Sequence, residues 1–209
     1  MAQGLHLSAE ERDHLFLLAG HQPPSREAAG DHVSPAMLRI LDRLTDTPAE
    51  VVTELGETLR QTPLGVALTG DLARHTGPSR SIGYRWFADP ASRDLYAPED
   101  HAFLSRLWTS GLREVMGRRG PGSRAAQLAD LLLGQSEEFR RLWEKQEVGL
   151  RPAAAKNLMH PELGRMELSC QTLTDPLGSH SLLVYTAAPG SETAEKLQLL
   201  SVIGTQRIG

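Results

Sequence analysis

Few residues in this chain have the types and spacings that catalysis or metal binding requires. Histidines stand at positions 6, 14, 21, 32, 75, 101, 160 and 180, with no pair four apart and no cluster of ligand types around them. Cys170 is the only cysteine, which excludes disulfides and every zinc site needing two thiolates. It sits among alternating apolar residues, where a thiol behaves as a small hydrophobe unless a base lowers its pKa. Gly120-Pro121-Gly122-Ser123 places a serine among glycines, but the proline and the helical flanks suit an interhelical turn. There is no P-loop, no G-x-G-x-x-G after a strand, no H-E-x-x-H and no G-x-S-x-G. An enzyme is therefore not expected, and neither a cofactor nor a metal is called for. His160 precedes Pro161 at a turn, where structural turn chemistry competes with a ligand-binding role.

The apolar residues are more informative. Trp86, Phe87, Trp108, Phe139 and Trp143 are half of the ten aromatic residues, and all fall in one helical stretch. Aromatic residues at helical spacing either fill a core or wall a pocket for an apolar small molecule between helices and a sheet. In the second case Arg85, beside Trp86, and Arg140 and Arg141, ahead of Trp143, could hold an acidic head group. In the first they are arginines whose aliphatic stems cover apolar surface. Arg113, Arg118, Arg119 and Arg124 read as a solvated helix end, and a net charge of −4 gives no footprint for nucleic acid.

These residues must be positioned by a chain of 209, enough for one large domain with an appendage. Ser8 and Glu11 have capping-box spacing, which predicts a helix over Ser8–Gly20, and residues 21–34 read as a linker. Ser34-Pro35 opens a second helix through Leu44. Val51, Val52 and Leu55, a turn at Gly56-Glu57, and then Leu59 predict a strand pair, followed by a short helix from Leu64. Residues 82–146 are mainly helical: one stripe runs from Phe103 through Leu107 to Val115, another from Ala125 to Leu133, and Ser136 caps a third helix. The period then changes to two. Met166, Leu168, Cys170 and Thr172 alternate with Glu167, Ser169 and Gln171, a turn follows at Asp175-Pro176-Leu177-Gly178, and Ser181–Ala187 forms another strand. Asn157-Leu158-Met159 precedes them as a third strand, and a last helix begins at Ser191. The order predicts an α+β fold with helices on one face of an antiparallel sheet. No apolar run approaches the ~18 residues of a membrane span, no signal peptide is visible, and the lone thiol suits a reducing cytoplasm.

Several of these segments together resemble the MmyB-like transcription regulators. Arg85-Trp86-Phe87-Ala88-Asp89-Pro90 with Arg93-Asp94-Leu95-Tyr96 looks like the family's F-x-D-P-x-x-R-x-L-Y signature. Ser136-Glu137-Glu138-Phe139-Arg140-Arg141-Leu142-Trp143 resembles its S-x-E-F-R-x-L-W helix. His160-Pro161-Glu162-Leu163-Gly164 with Met166-Glu167-Leu168 is similar to its H-P-x-x-G-x-L-x-L hairpin. Leu183-Val184-Tyr185-Thr186-Ala187 with Pro189-Gly190-Ser191 resembles the closing strand and final helix start, and with Leu41–Pro48 the match covers about residues 35–202. Two segments depart from the pattern. Arg60-Gln61-Thr62-Pro63 stands in place of an aromatic-Asn segment, and Ala97-Pro98-Glu99-Asp100-His101 lacks a tryptophan.

The resemblance implies a PAS-like ligand-binding domain over 35–203, joined to an XRE-type helix-turn-helix of which only the terminal helix, 1–20, is expected in this chain. DNA would be reached only through that missing part. It also implies a lipophilic, fatty-acid-like ligand and a cytoplasmic regulator, and a homodimer is expected because palindromic operators are read by two-fold dimers. The residues expected to bind the ligand are Trp86, Phe87, Leu107, Trp108, Phe139, Trp143, Leu168, Val184, Arg85, Arg141 and His160. The competing expectation is a protein-interaction or dimerisation module with a filled core. A void in the domain favours the first, and close packing favours the second.

Overall fold

Capping chemistry sets where this chain turns helical. The computed structural model describes residues 14–16, 18–20, 30–175 and 180–206. Helices α1 (Pro35–Leu41), α2 (Pro63–Thr69), α3 (Ile82–Ala88), α5 (Arg124–Gln135) and α6 (Glu137–Glu144) each begin at a serine or threonine. The hydroxyls of Ser34, Thr62, Ser81, Ser123 and Ser136 accept the backbone N–H three residues on, each worth about 1 kcal/mol. The long helix α4 (His101–Arg119) is led in instead by a 3-10 turn at Pro98–Asp100, and α7 (Glu192–Gln206) ends the described chain. Most of the helix expected over Ser8–Gly20, most of the linker and the turn residues 176–179 lie outside the described residues.

Five strands, β1 (Ala49–Thr53), β2 (Thr58–Gln61), β3 (Ala155–His160), β4 (Gly164–Thr174) and β5 (His180–Thr186), form one antiparallel sheet in the order β2-β1-β5-β4-β3. The hairpins β1–β2 and β3–β4–β5 follow from local pattern. The pairing of β1 with β5, Val51 opposite Leu182, joins chain segments on either side of the helical block. Gly56, at φ +66°, makes the β1–β2 turn.

Period-two alternation divides the sheet into two apolar faces. Ala49, Val51 and Leu182 pack with Met37 and Leu41 of α1, and Val184 joins them. On the other face Leu158, Met166, Leu168 and Tyr185 pack with Leu64 and Leu68 of α2 and Leu200 of α7. A third cluster, around Trp86, Leu104 and Leu107, lies among the helices and meets the second through Tyr96. The fold is α+β, with most helices gathered over one face of the sheet and α1 covering part of the other.

Candidate functional site

The larger helical side does not close on the sheet. A cavity of about 540 Å³ remains between them, with all five strands contributing to its floor. Val52, Leu158 and Leu183 supply apolar floor, and Leu72, Ile82, Leu95, Tyr96 and Trp108 supply roof and walls. The segment around Tyr96 is held against the edge strand β3: Met159 N–H donates to Leu95 O and Ala97 N–H to Asn157 O. Gln61 fixes the opposite corner by accepting from Leu72 N–H and donating to Thr69 and Gly70. A second cavity of about 220 Å³ shares Glu54, Gly56, Trp108, Arg151 and Pro152 with the first and adds Leu107.

Four titratable groups cross the cavity floor, one from each of β1, β5, β4 and β3. They are Glu50, Tyr185, Cys170 and Lys156. Tyr185 stands directly opposite Cys170 in the ladder, and Lys156 stands opposite Leu168, two residues before Cys170. The Tyr185 hydroxyl donates to Glu50 Oε1 at 2.8 Å, and Thr58 Oγ1 donates to Oε2 at 2.8 Å. Burial pushes the Glu50 carboxyl up, and these two hydroxyls reverse only part of that. Burial also raises the Tyr185 phenol and the Cys170 thiol, and lowers the Lys156 amine. Each group is thus shifted toward its neutral form, as a poorly hydrated floor requires.

Of the residues expected to bind ligand, Trp108 lines the large cavity and Leu107 the smaller one. Trp86, Phe87, Phe139 and Trp143 are brought together elsewhere, in the helical core. Phe87 meets Phe139 edge-on at 5.1 Å, Phe139 stacks on Trp143 at 5.2 Å, and Trp86 meets Tyr96 edge-on at 5.6 Å. A closed hydrogen-bond ring holds this core. Trp86 Nε1 donates to Ser105 Oγ at 2.8 Å, and Ser105 donates to Glu138 Oε1 at 2.6 Å. Arg93 then donates to Glu138 Oε2 at 2.7 Å and to Trp86 O at 2.8 Å. Two of the segments that carried the family resemblance, around Trp86–Arg93 and Ser136–Trp143, are therefore tied to each other.

The remaining candidates are dispersed. Val184 lies on the α1 face of the sheet, and Leu168 packs in the cluster with Tyr185 and Leu200. Arg85 is buried and donates to the carbonyls of Ser79 and Arg80, and Arg141 is paired with Glu137 on an exposed surface. The Nδ1 of His160 accepts from Glu162 N–H and Leu163 N–H, while Nε2 lies 3.1 Å from Ala67 O. That contact pattern is turn chemistry that also ties the β3–β4 hairpin to α2.

Sequence reasoning missed Glu50, Lys156 and Tyr185 as cavity groups. A usable signal was present for one of them: Glu50 interrupts Ala49-Val51-Val52, so a carboxylate had to enter a strand buried along its whole length. Among the described residues no cluster of His, Cys, Asp and Glu could hold a metal ion, and no helix is long and apolar enough to cross a membrane.

A helical layer lifted off an antiparallel sheet, with a mostly apolar cavity between them, has the form of a small-molecule-binding domain. Residues 33–200 match the model of the MmyB-like transcription regulator ligand binding domain, and the chain belongs to that family. No match was found among curated proteins.

Proposed function

We propose that this chain is the sensory domain of a bacterial transcription regulator and that a lipophilic, fatty-acid-like molecule occupies the cavity between sheet and helices. The observation that carries this reading is the cavity itself. At about 540 Å³ it has the size of a small-molecule site, commonly ~300–1,000 Å³, and a filled interaction module would not keep such a void. Its role is regulatory rather than catalytic, and it acts in the cytoplasm as a homodimer. The ligand-binding domain spans 35–203 in this reading; most of the terminal helix expected over 1–20 and of the linker expected over 21–34 lies outside the described residues.

The way the chain enters the domain supports a route for the signal. Asp31 pairs with Arg80, the ring of His180 lies 2.9 Å from Gly30 O, and Val33 is buried in the α1 cluster. A ligand that prefers one arrangement of the cavity roof would change how this entry segment presents the DNA-binding part, and only a difference in affinity between two arrangements can do so. Native mass spectrometry of gently purified protein, followed by solvent extraction, tests the reading. The expected result is a dimer carrying an extra mass that leaves with organic solvent. A clean apo mass, together with no uptake from a panel of medium- and long-chain fatty acids, would refute it.

A further inference from the structure

Of the three tryptophans in the chain, two are held by specific partners. Trp86 donates to Ser105, and Trp143 stacks on Phe139 with the Arg113 guanidinium 3.9 Å from the centre of its ring. Trp108 is the exception. Its indole N–H is buried without an acceptor among the described residues, and no aromatic ring or cation there lies against it. A donor in that position has lost its hydration and gained no bond, so packing alone fixes the ring. The ring stands where the two cavities meet. Both are lined by Trp108 together with Glu54, Gly56, Arg151 and Pro152. Glu54 is tied to Arg118 and Arg119, and Arg151 to Glu114. The indole is the bulkiest element of this boundary, and no polar contact holds it.

Glycines keep the smaller cavity open. A Cβ at Gly83 of α3 would lie 3.6 Å from Trp108 Cβ, so the two helices approach closely beside the ring. Gly111, one turn along α4 from Trp108, lines the smaller cavity, and a Cβ there would meet nothing within 4 Å. We propose that Trp108 sets the length of the ligand. An apolar chain in the large cavity ends against the indole, and a longer chain enters the compartment of about 220 Å³ behind it only by displacing the ring. Displacement breaks packing contacts and no hydrogen bond. The proposal rests on the ligand-binding reading above, is independent of the head group, and adds to it a length-determining residue and a second compartment.

A series of uncharged chains tests the partition. Straight-chain primary alcohols from decanol to eicosanol, delivered from methyl-β-cyclodextrin, are titrated by calorimetry into each protein, and comparison at equal chain length cancels the carrier. Each added carbon that finds apolar wall strengthens binding about fourfold. In the wild-type protein this gain is expected to stop within the series, where the chain meets the ring. In Trp108→Ala it is expected to continue through several further carbons. Trp108→Leu, which shortens the wall and keeps it apolar, is the second variant, and thermal melts check that both fold. Gly111→Leu fills the smaller cavity from a position where leucine suits the helix better than glycine. Alone it should leave the wild-type series unchanged, and combined with Trp108→Ala it should return the stop to the wild-type length. A stop at the same carbon in the folded Trp108 variants, a wild-type series without a stop, or an extension that survives Gly111→Leu would overturn the proposal while leaving the ligand-binding reading in place. If no alcohol binds the wild-type protein, that reading falls and the partition with it.

Discussion

Ser105→Ala removes a single oxygen atom, yet the ring around Trp86 makes it a severe change. Trp86 is 0% exposed and Ser105 2%, so water cannot replace the lost hydroxyl without opening the core. The indole N–H is left buried without an acceptor, which costs about 1–3 kcal/mol, and Glu138 loses a hydrogen bond to an ionised group of similar worth. Because Glu138 is partly exposed and keeps Arg93, its share is discounted, and the expected total is about 2–4 kcal/mol. For a chain of this size that lowers the melting temperature by about 5–15 °C.

Urea denaturation at constant m-value measures the loss, and a double-mutant cycle with Trp86→Phe locates it. Without the indole N–H there is no orphaned donor, so Ser105→Ala should cost about 1–2 kcal/mol less in that background. Acid gives a further check. Burial alone would raise the Glu138 carboxyl, but the Ser105 hydroxyl and the Arg93 guanidinium outweigh it and hold the carboxyl below its usual range. A carboxylate depressed in the folded state contributes fully above its unfolded value, about 4.3, and loses that contribution as pH falls through the folded one. The Ser105→Ala penalty should therefore shrink below pH 4. A loss under about 0.5 kcal/mol, or the same loss in both backgrounds, would refute the account of the ring as a coupled network.

Two further perturbations probe the sheet. Glu50 has the opposite sign: burial raises its carboxyl, so the folded state holds the proton more tightly and stability falls as pH rises above the ordinary value of about 4.3. Glu50→Gln should therefore gain on the wild type with rising pH, in melts from pH 4 to 8, and parallel curves would show that the carboxylate is ionised at no cost. Gly65→Ala should destabilise by about 1–3 kcal/mol although alanine is the better helix former, because its Cβ would lie 2.7 Å from Ala49 O and push α2 off β1. A stabilised Gly65→Ala protein in urea denaturation would show that α2 can move away freely.

Local rules made much of the fold legible. Ser34-Pro35 and Ser136 start helices where the sequence predicts, because an N-cap needs only a side chain and the N–H three residues on. The alternation of Met166, Leu168 and Cys170 marks β4, since every second side chain of a strand shares a face. The segments resembling the family are themselves local, and residues 33–200 carry that identity whatever the cavity holds. His160 could likewise be read as a turn residue from the proline that follows it.

The cavity could not be read in this way. A core and a pocket wall are both apolar, so helical spacing alone cannot separate Trp86, Phe139 and Trp143, which pack on one another and on Tyr96 and Phe87, from Trp108, which faces the void. What separates them is distant polar chemistry, with Ser105 and Glu138 holding the Trp86 indole among the helices. The floor arises in the same way. Glu50 and Tyr185 meet only when β1 pairs with β5 across 135 residues, and Lys156 reaches that face through the register of β3 on β4. The sequence by itself determined the elements and the family, because capping and periodicity act within a few residues. The tertiary structure alone decided which side chains enclose the cavity and which titratable groups share its floor, because burial and pairing depend on neighbours that the chain brings together only on folding.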